Sequence, residues 1–150
     1  MYNRRKSGVL LHISSLPNDY GIGSLGKEAF EFIDFLSKSG MSYWQVLPLN
    51  AVFSDPSPYF SISSTANNIF LISLEELAND GLLDNEQLLK LQDSTTRIDY
   101  EKVLPYKRAL LFKAFRRFQR MTQTNLYKEF LDYCSDYNAA LACSTSAAKA

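Results

Sequence analysis

A proline-rich loop carries the side chains of this sequence that are best suited to bind a ligand. It contains Asp55, Ser57 and Tyr59, with one proline after Asp55 and another after Ser57. Because proline fixes the backbone, we expect Tyr59 to be held in one orientation. A rigid aromatic face beside hydroxyl and carboxylate groups suits a sugar, whose ring stacks while its hydroxyls form hydrogen bonds. The alternative is a structural turn in which Tyr59 only packs.

His12 is the second candidate, and it is the only histidine of the chain. It stands at the end of an apolar run, where it can line the mouth of a pocket or bond to neighbouring backbone. Trp44, in a second β-prone run, is interpreted as a core residue rather than a ligand platform. One histidine and two cysteines offer no spacing typical of metal ligands. We therefore expect no metal site.

Hydrolysis or transfer of glycosidic bonds needs two carboxyl groups that flank the scissile bond, about 5 to 9 Å apart. Most acidic residues of the chain fall on predicted helix faces, and only Asp19 and Asp55 fall on the two loops considered below. They do not form a convincing acid/base pair, so we assign no catalytic residue. The glycines at 21, 23 and 26 spell G-x-G-x-x-G, but a turn-rich stretch separates them from the preceding strand, which disfavours a dinucleotide site.

Composition narrows the function classes further. The 150 residues carry 16 Lys plus Arg and 16 Asp plus Glu, so no net charge favours nucleic acid or an anionic membrane. The basic segment 102–120 adjoins the acidic segment 75–101, and mutual attraction or solvation explains it more simply than a nucleic-acid partner. The apolar run after the basic start is too short for a secretory signal, and no run is long enough to cross a membrane. Two cysteines without a disulfide framework indicate a cytoplasmic location.

The elements that position the candidate residues begin with a strand–helix–strand unit. Residues 8–13 and 43–47 are β-prone runs, and apolar residues at helical spacing between them predict a helix that starts at Ser24 or Gly26 and stops at Gly40. The two strands should be parallel with a right-handed crossover. Ligands of parallel α/β folds bind at the carboxyl ends of the strands. Those ends lead into two loops, 12–26 and 48–68, where we expect any site to lie.

The remainder of the sequence predicts helices. Ser73 and Glu76 form a capping-box pattern for a helix over about residues 74–80, and a second short helix is predicted over 84–91. Longer helices are predicted from Asp99 and over about 126–137. The helix after Asp99 has an apolar stripe, with Lys107 and the other basic residues assigned to its opposite face. The stripe comprises Leu110, Leu111, Ala114, Phe115 and Phe118.

Several motifs together resemble the beginning of the 4-α-glucanotransferases, or amylomaltases (glycoside hydrolase family 77). They are SGVLLHISSLP at 7–17, YGIGSLG at 20–26, YWQVLPL at 43–49 and SPY at 57–59. Similar segments continue to about residue 131. Phe60 stands where the family commonly has Gln, and Asn67-Asn68-Ile69 replaces a family Gly-Asn-Pro.

The resemblance implies a fold and an activity. The fold class is α/β: residues 1–72 would begin a (β/α)8 barrel, 73–138 would form a mostly helical insert, and 139–150 would be a tail outside the family. The implied activity is retaining transfer of 1,4-α-glucan segments to a glucose or glucan acceptor, without cofactor or catalytic metal. The implied substrates are maltooligosaccharides, bound through Tyr59 and its neighbour Ser57, to which the loop analysis adds Asp55 and His12.

The resemblance also raises the question of what this chain does alone. The family's catalytic carboxylates belong to segments that follow those matched here, so we expect the 150 residues by themselves to be a catalytically inactive N-terminal portion. A second hypothesis is a non-catalytic glucan-binding module that uses the Tyr59 loop. A third, a nucleic-acid adaptor built on the basic helix, would show steeply salt-dependent binding.

Overall fold

A computed structural model describes residues 5–52, 57–61, 63, 66–89, 91 and 97–147, with side chains described as far as residue 137. Asp55 therefore lies outside the described residues. The elements in chain order are strands β1 and β2, helices α1 to α4, and three single 3-10 turns. Their bounds are β1 Gly8–Leu10, a turn at Ile13–Ser15, α1 Lys27–Lys38, β2 Tyr43–Gln45, a turn at Ile69–Leu71, α2 Leu74–Asn79, a turn at Asn85–Gln87, α3 Tyr100–Phe118 and α4 Asn125–Ala147.

The predicted strand–helix–strand unit is confirmed. β1 and β2 pair in parallel, with Val9 opposite Trp44 at the centre of the register. Both strands are shorter than predicted, since β1 stops at Leu10 rather than residue 13 and β2 at Gln45 rather than residue 47. The reason for the first difference is local. The side chain of His12 accepts the backbone N–H of Ser14, which starts a 3-10 turn where the strand would have continued.

α1 connects the two strands and packs on them with one side. Ala29 and Leu36 are buried, and the ring of Phe32 meets the Trp44 ring edge-on at 5.0 Å. The Trp44 indole N–H donates to the Leu11 carbonyl over 2.8 Å, which accords with its interpretation as a core residue. The other apolar side chains of this helix are exposed to solvent, namely Phe30, Ile33 and Phe35.

The helical part of the chain begins as the capping pattern predicts. The Ser73 hydroxyl accepts the Glu76 N–H over 3.3 Å and starts α2, and Gly81 follows its end with a φ of 71°. The helix predicted over 84–91 is wrong, because only the turn at Asn85–Gln87 forms. Beyond that turn, the Leu89 N–H donates to the Tyr106 hydroxyl over 2.8 Å and so bonds to another element rather than to a helix of its own.

α3 provides the wall of the main apolar core. Its stripe buries Leu110 and Ala114, whereas Phe115 is half exposed, contrary to expectation. The assignment of Lys107 to the solvated face is also wrong, since only 1% of this residue is exposed. The core around the stripe consists of Tyr20, Leu74, Leu82, Leu83, Leu110 and Ala114.

α4 extends to Ala147, well past the end predicted near residue 137. None of the helices among the described residues is long and apolar enough to cross a membrane. The division of the chain at 72/73 and 138/139 stays a prediction.

Candidate functional site

A small cavity lies where the two parallel strands end, as the strand order predicts. His12 comes two residues after β1, Pro48 comes three residues after β2, and both line this cavity. Its volume is about 20 Å³, enough for one water molecule but not for a sugar ring. The lining residues are His12, Ser14, Ile22, Pro48, Val52, Pro58, Asn68, Phe70, Tyr100 and Leu104.

The proline-rich loop contributes to the same place. Pro58 is part of the cavity wall. Ser57 and Tyr59 are its neighbours in the chain. Tyr59 is 73% exposed and does not pack into a core. This exposure disagrees with the alternative hypothesis, in which Tyr59 only packs. An antiparallel bridge between Val52 and Ser61 closes the base of the loop. The structure thus brings His12 and the described part of this loop to one edge of the sheet.

His12 is held by its own turn. Its Nδ1 lies 3.2 Å from the Ser14 backbone nitrogen, which donates to it, and 2.8 Å from the Ser14 hydroxyl. Its Nε2 is buried. Burial lowers the pKa of His12, and a hydrogen bond to the Pro48 backbone opposes part of that shift. His12 is therefore a neutral imidazole near pH 7.

The far wall of the cavity comes from α3. Tyr100 and Leu104, in its first turns, line the cavity opposite the strands. Burial raises the pKa of Tyr100, and its interaction with the Ser14 side chain partly offsets that rise. Sequence reasoning did not include Tyr100 or Asn68 in the site. Asn68 had a recognisable local signal, because it caps the turn at Ile69–Leu71 by accepting the Phe70 N–H over 3.0 Å.

A buried lysine holds this wall in place. Lys107 of α3 donates from Nζ to the Phe70 carbonyl over 2.6 Å, and the Phe70 residue lines the cavity. Burial lowers the pKa of Lys107 to about 8, while the charge of Glu28 in α1 raises it. Glu28 has one buried carboxylate oxygen without a partner among the described residues. The ammonium group thus joins α3 to the turn at Ile69–Leu71, under the influence of the Glu28 charge of α1.

The G-x-G-x-x-G glycines have a structural role in this neighbourhood. A Cβ on Gly23 would lie 2.1 Å from the Ile13 carbonyl oxygen, and one on Gly26 would lie 2.6 Å from the Ser73 hydroxyl. Gly21 has a φ of 81°, in the left-handed region that favours glycine. These glycines allow close packing around the turn at Ile13–Ser15, which agrees with the interpretation that the motif is not a dinucleotide site.

The chemistry available at this edge is hydrogen bonding and stacking. Within the described ranges, no cluster of three or more His, Cys, Asp or Glu side chains could hold a metal ion. The lining includes imidazole, hydroxyl, amide and phenol groups but no carboxylate from the described residues. These groups can form hydrogen bonds with a neutral, hydroxyl-bearing molecule, and the exposed Tyr59 ring follows the lining residue Pro58 in the chain.

The comparisons with known proteins agree with this geometry. The chain is 42% identical to a 4-alpha-glucanotransferase of Synechocystis over 135 residues, 89% of this chain and 27% of that protein. It is 46% identical to one of Aquifex aeolicus over 129 residues, 85% of this chain and 26% of that protein. Its fold is similar to that of an amylomaltase from Streptococcus agalactiae in complex with acarbose, with a TM-score of 0.79, 34% identity, and coverage of 90% of this chain and 27% of that one.

The chain thus spans about a quarter of the length of the curated relatives. The family model for 4-alpha-glucanotransferase, glycoside hydrolase family 77, matches residues 11–144. That match covers most of the chain, including β2, the residues that line the cavity and the helices α1 to α3. The chain belongs to the 4-alpha-glucanotransferase family.

Proposed function

We propose that this chain supplies the beginning of a (β/α)8 barrel in a 4-α-glucanotransferase, with β1 and β2 as its first strands. The parallel pairing of the strands, the α1 connection and the family membership support this proposal. The proposed substrates are maltooligosaccharides and 1,4-α-glucan, and neither nucleic acid nor a membrane is a proposed partner. The proposed location is the cytoplasm, supported by the cysteine usage of the sequence.

One observation carries the proposal: the cavity lies at the carboxyl ends of β1 and β2, and Pro58, which precedes the exposed Tyr59 in the chain, forms part of its wall. In a (β/α)8 barrel, this edge is where active sites form. The chain has no net charge, which suits an uncharged glucan that needs no electrostatic steering.

The site residues have distinct proposed roles. Tyr59 stacks against the apolar face of a glucose unit, and Ser57 offers a hydroxyl to the same unit. His12 donates a hydrogen bond from the cavity beside them. Asp55, outside the described residues, is proposed as an acceptor for sugar hydroxyls because it precedes Ser57 in the same loop.

The proposed reaction is retaining transfer. A carboxylate attacks the anomeric carbon, the glycosyl–enzyme ester forms, and a second carboxyl group protonates the leaving oxygen and later deprotonates the acceptor hydroxyl. We assign neither carboxyl group to the described residues of this chain. Its part in the reaction is to bind and orient the glucan. No cofactor is proposed.

A glucan-binding module is the second candidate, favoured by the exposure of Tyr59. The two candidates differ in what the 150 residues do alone. Titration with maltoheptaose, followed by the fluorescence of the single Trp44 and the tyrosines, separates them. We expect no saturable binding, because two strands provide only part of a barrel site. Tight saturable binding would favour the module.

The contribution of Tyr59 can be measured in a chimera. In it, residues 11–144 of this chain replace the matching segment of the Aquifex aeolicus relative. We expect Tyr59→Ala to raise the KM for maltotriose about ten-fold, a loss of about 1.4 kcal/mol of binding, with kcat little changed because stacking acts in both ground and transition states.

The matched control is Tyr133→Ala, which removes a tyrosine of α4 that is 63% exposed. Steady-state kinetics of maltotriose disproportionation should be unchanged in this control. Equal KM values for Tyr59→Ala and the unsubstituted chimera would contradict a role of Tyr59 in binding.

A further inference from the structure

We infer that Lys107 is a positioning residue for the glucan-binding loop, defined here as residues 57–61. Lys107 acts through Phe70 and Asn68 on the segment that leaves β2, and the loop is attached to that segment. Only the identity of the ligand, a glucan, rests on the proposed function. Hydrogen bonds among the described residues carry the attachment itself.

The first link joins α3 to the turn at Ile69–Leu71. The Lys107 ammonium group donates from Nζ to the Phe70 carbonyl oxygen over 2.6 Å. Only 1% of Lys107 and 7% of Phe70 are exposed, so this bond is made away from bulk solvent. Burial lowers the pKa of Lys107 to about 8, so the group still carries its charge at pH 7. Its hydrogen bond is therefore charge-assisted and stronger than one between neutral groups.

Two further hydrogen bonds lead from this turn to the segment that leaves β2. The Phe70 N–H donates to the side-chain oxygen Oδ1 of Asn68 over 3.0 Å. The Asn68 N–H donates in turn to the carbonyl of Leu49, which follows the end of β2 in the chain, over 2.8 Å. Phe70 is thus held at both its carbonyl and its N–H, and Asn68 connects it to the strand exit.

The strand exit continues directly into the base of the glucan-binding loop. The Ala51 N–H donates to the Ala66 carbonyl over 2.8 Å, and Val52 forms an antiparallel bridge with Ser61. The Ser61 hydroxyl also lies 3.0 Å from the Ala51 carbonyl oxygen. Tyr59 precedes Ser61 by only one intervening residue in the chain. A displacement of the turn therefore reaches the segment that carries the Tyr59 ring.

The burial of Lys107 is explained by the conformation that it imposes on Phe70. Desolvation of an ammonium group opposes folding, and an apolar side chain would fill the same volume without that cost. What the ammonium adds is direction, because its hydrogen bond holds one carbonyl oxygen at a set distance. The carbonyl belongs to the backbone of the turn, so holding it fixes the turn.

Hydrogen exchange of the full chain at pH 7 tests the attachment without any sugar. Lys107→Met is compared with the unsubstituted chain at three backbone amides. Asn68 and Ala51 donate within the attachment, whereas Ser42, before β2, donates to the Ser7 carbonyl over 2.8 Å. We expect protection at Asn68 and Ala51 to fall about ten-fold more than at Ser42. An equal loss at all three amides would overturn the inference.

Two further variants separate these hydrogen bonds from a general loss of stability. Asn68→Ala removes the acceptor of the Phe70 N–H and leaves Lys107 in place, and it should lower the protection of Ala51 more than that of the reference amide. If Lys107→Met does not fold, this variant decides, and an unchanged Ala51 would overturn the inference. Lys113→Met, on the exposed side of α3, is the control and should change none of the three amides.

The effect on glucan binding is measured in the Aquifex aeolicus chimera by steady-state disproportionation of maltotriose. Lys107→Met should raise the KM about three-fold or more and leave kcat within about two-fold. A lower concentration of folded enzyme would instead reduce the apparent kcat and leave the KM unchanged. Combined with Tyr59→Ala, Lys107→Met should raise the KM little further, because the ring that it positions is then absent.

The two ways of failing are distinguishable. An inactive chimera together with a selective loss of protection at Asn68 and Ala51 would overturn the proposed function and keep Lys107 as the residue that positions the loop. An active chimera whose KM is unchanged by Lys107→Met, or in which the effects of Lys107→Met and Tyr59→Ala on the KM are additive, would overturn the inference.

Discussion

Replacing Lys107 with methionine is expected to lower the free energy of unfolding by about 1–3 kcal/mol at pH 7, because the Phe70 carbonyl is left without its donor. The ammonium group is 1% exposed and donates to the Phe70 carbonyl over 2.6 Å. It also faces Glu28, whose carboxylate has a buried oxygen without another partner among the described residues. Methionine preserves most of the volume but leaves the carbonyl and the carboxylate without their cation. Urea unfolding followed by circular dichroism measures the loss.

Lys113→Met is the matched control, because Lys113 lies on the same helix and is exposed. Its effect should stay within about 0.5 kcal/mol. The double variant Lys107→Met with Glu28→Gln should recover part of the loss, since the buried negative charge is then removed as well. Equal stabilities of Lys107→Met and Lys113→Met would show that the buried ammonium does not stabilise the contact between α3 and the turn at Ile69–Leu71.

Lys107 also makes the unfolding free energy of the chain depend on pH. Burial lowers the pKa of Lys107 from 10.5 to about 8 in the folded state. Between these two values the unfolded chain binds more protons than the folded one, so this group makes the unfolding free energy rise with pH. The rise between pH 7.5 and 9.5 should be about 2 kcal/mol, and Lys107→Met should abolish it.

The pH range ends at 9.5 because, at higher pH, Tyr20 changes the unfolding free energy in the opposite direction. Burial and Glu75 raise the pKa of Tyr20 to about 12. Above pH 10 the unfolded phenol ionises while the folded one does not, so this group makes stability fall. An unfolding free energy that rises equally in the unsubstituted chain and in Lys107→Met would contradict the assignment to Lys107.

Gly23→Ala is the second substitution with a large expected effect, a loss of about 3 kcal/mol or more in unfolding free energy. The added Cβ would lie 2.1 Å from the Ile13 carbonyl oxygen and 2.8 Å from the Leu16 carbonyl oxygen. Both contacts are with backbone that cannot rotate away. The 3-10 turn at Ile13–Ser15, which begins beside His12, would have to move. Thermal or urea unfolding measures the effect.

Gly40→Ala is the control that separates crowding from backbone strain. Gly40 has a φ of 72°, and a Cβ there would meet nothing within 4 Å. Alanine at this position should therefore cost only the left-handed conformation, about 1–2 kcal/mol. If Gly23→Ala cost no more than Gly40→Ala, the close approach of Gly23 to the turn would not be a real constraint.

The parts of the fold that follow local rules could be predicted from the sequence. The helical spacing of apolar residues marked α1, the β-prone runs marked β1 and β2, and Ser73 with Glu76 marked the start of α2. The parallel pairing then fixed which loops meet at one edge. That rule alone predicts that His12 and the Tyr59 loop lie near each other.

The parts that depend on distant contacts could not be predicted. Lys107 was assigned to the solvated face because lysine is almost never fully buried. Its burial requires the carbonyl of Phe70, 37 residues earlier in the chain. The helix predicted over 84–91 fails for a similar reason, since Tyr106 on α3 binds the backbone of Leu89. Tyr100 lines the cavity because α3 packs against it. The spacing of apolar residues along the sequence does not predict this packing.

We propose that residues 11–144 supply part of the glucan-binding site of a 4-α-glucanotransferase. Disproportionation of maltotriose by the Aquifex aeolicus chimera tests it most directly, with glucose and longer maltooligosaccharides separated by chromatography. We expect transfer activity in the folded chimera, with both glucose and maltopentaose accumulating. A chimera that folds cooperatively, as shown by its thermal melt, but forms no transfer products would contradict the claim.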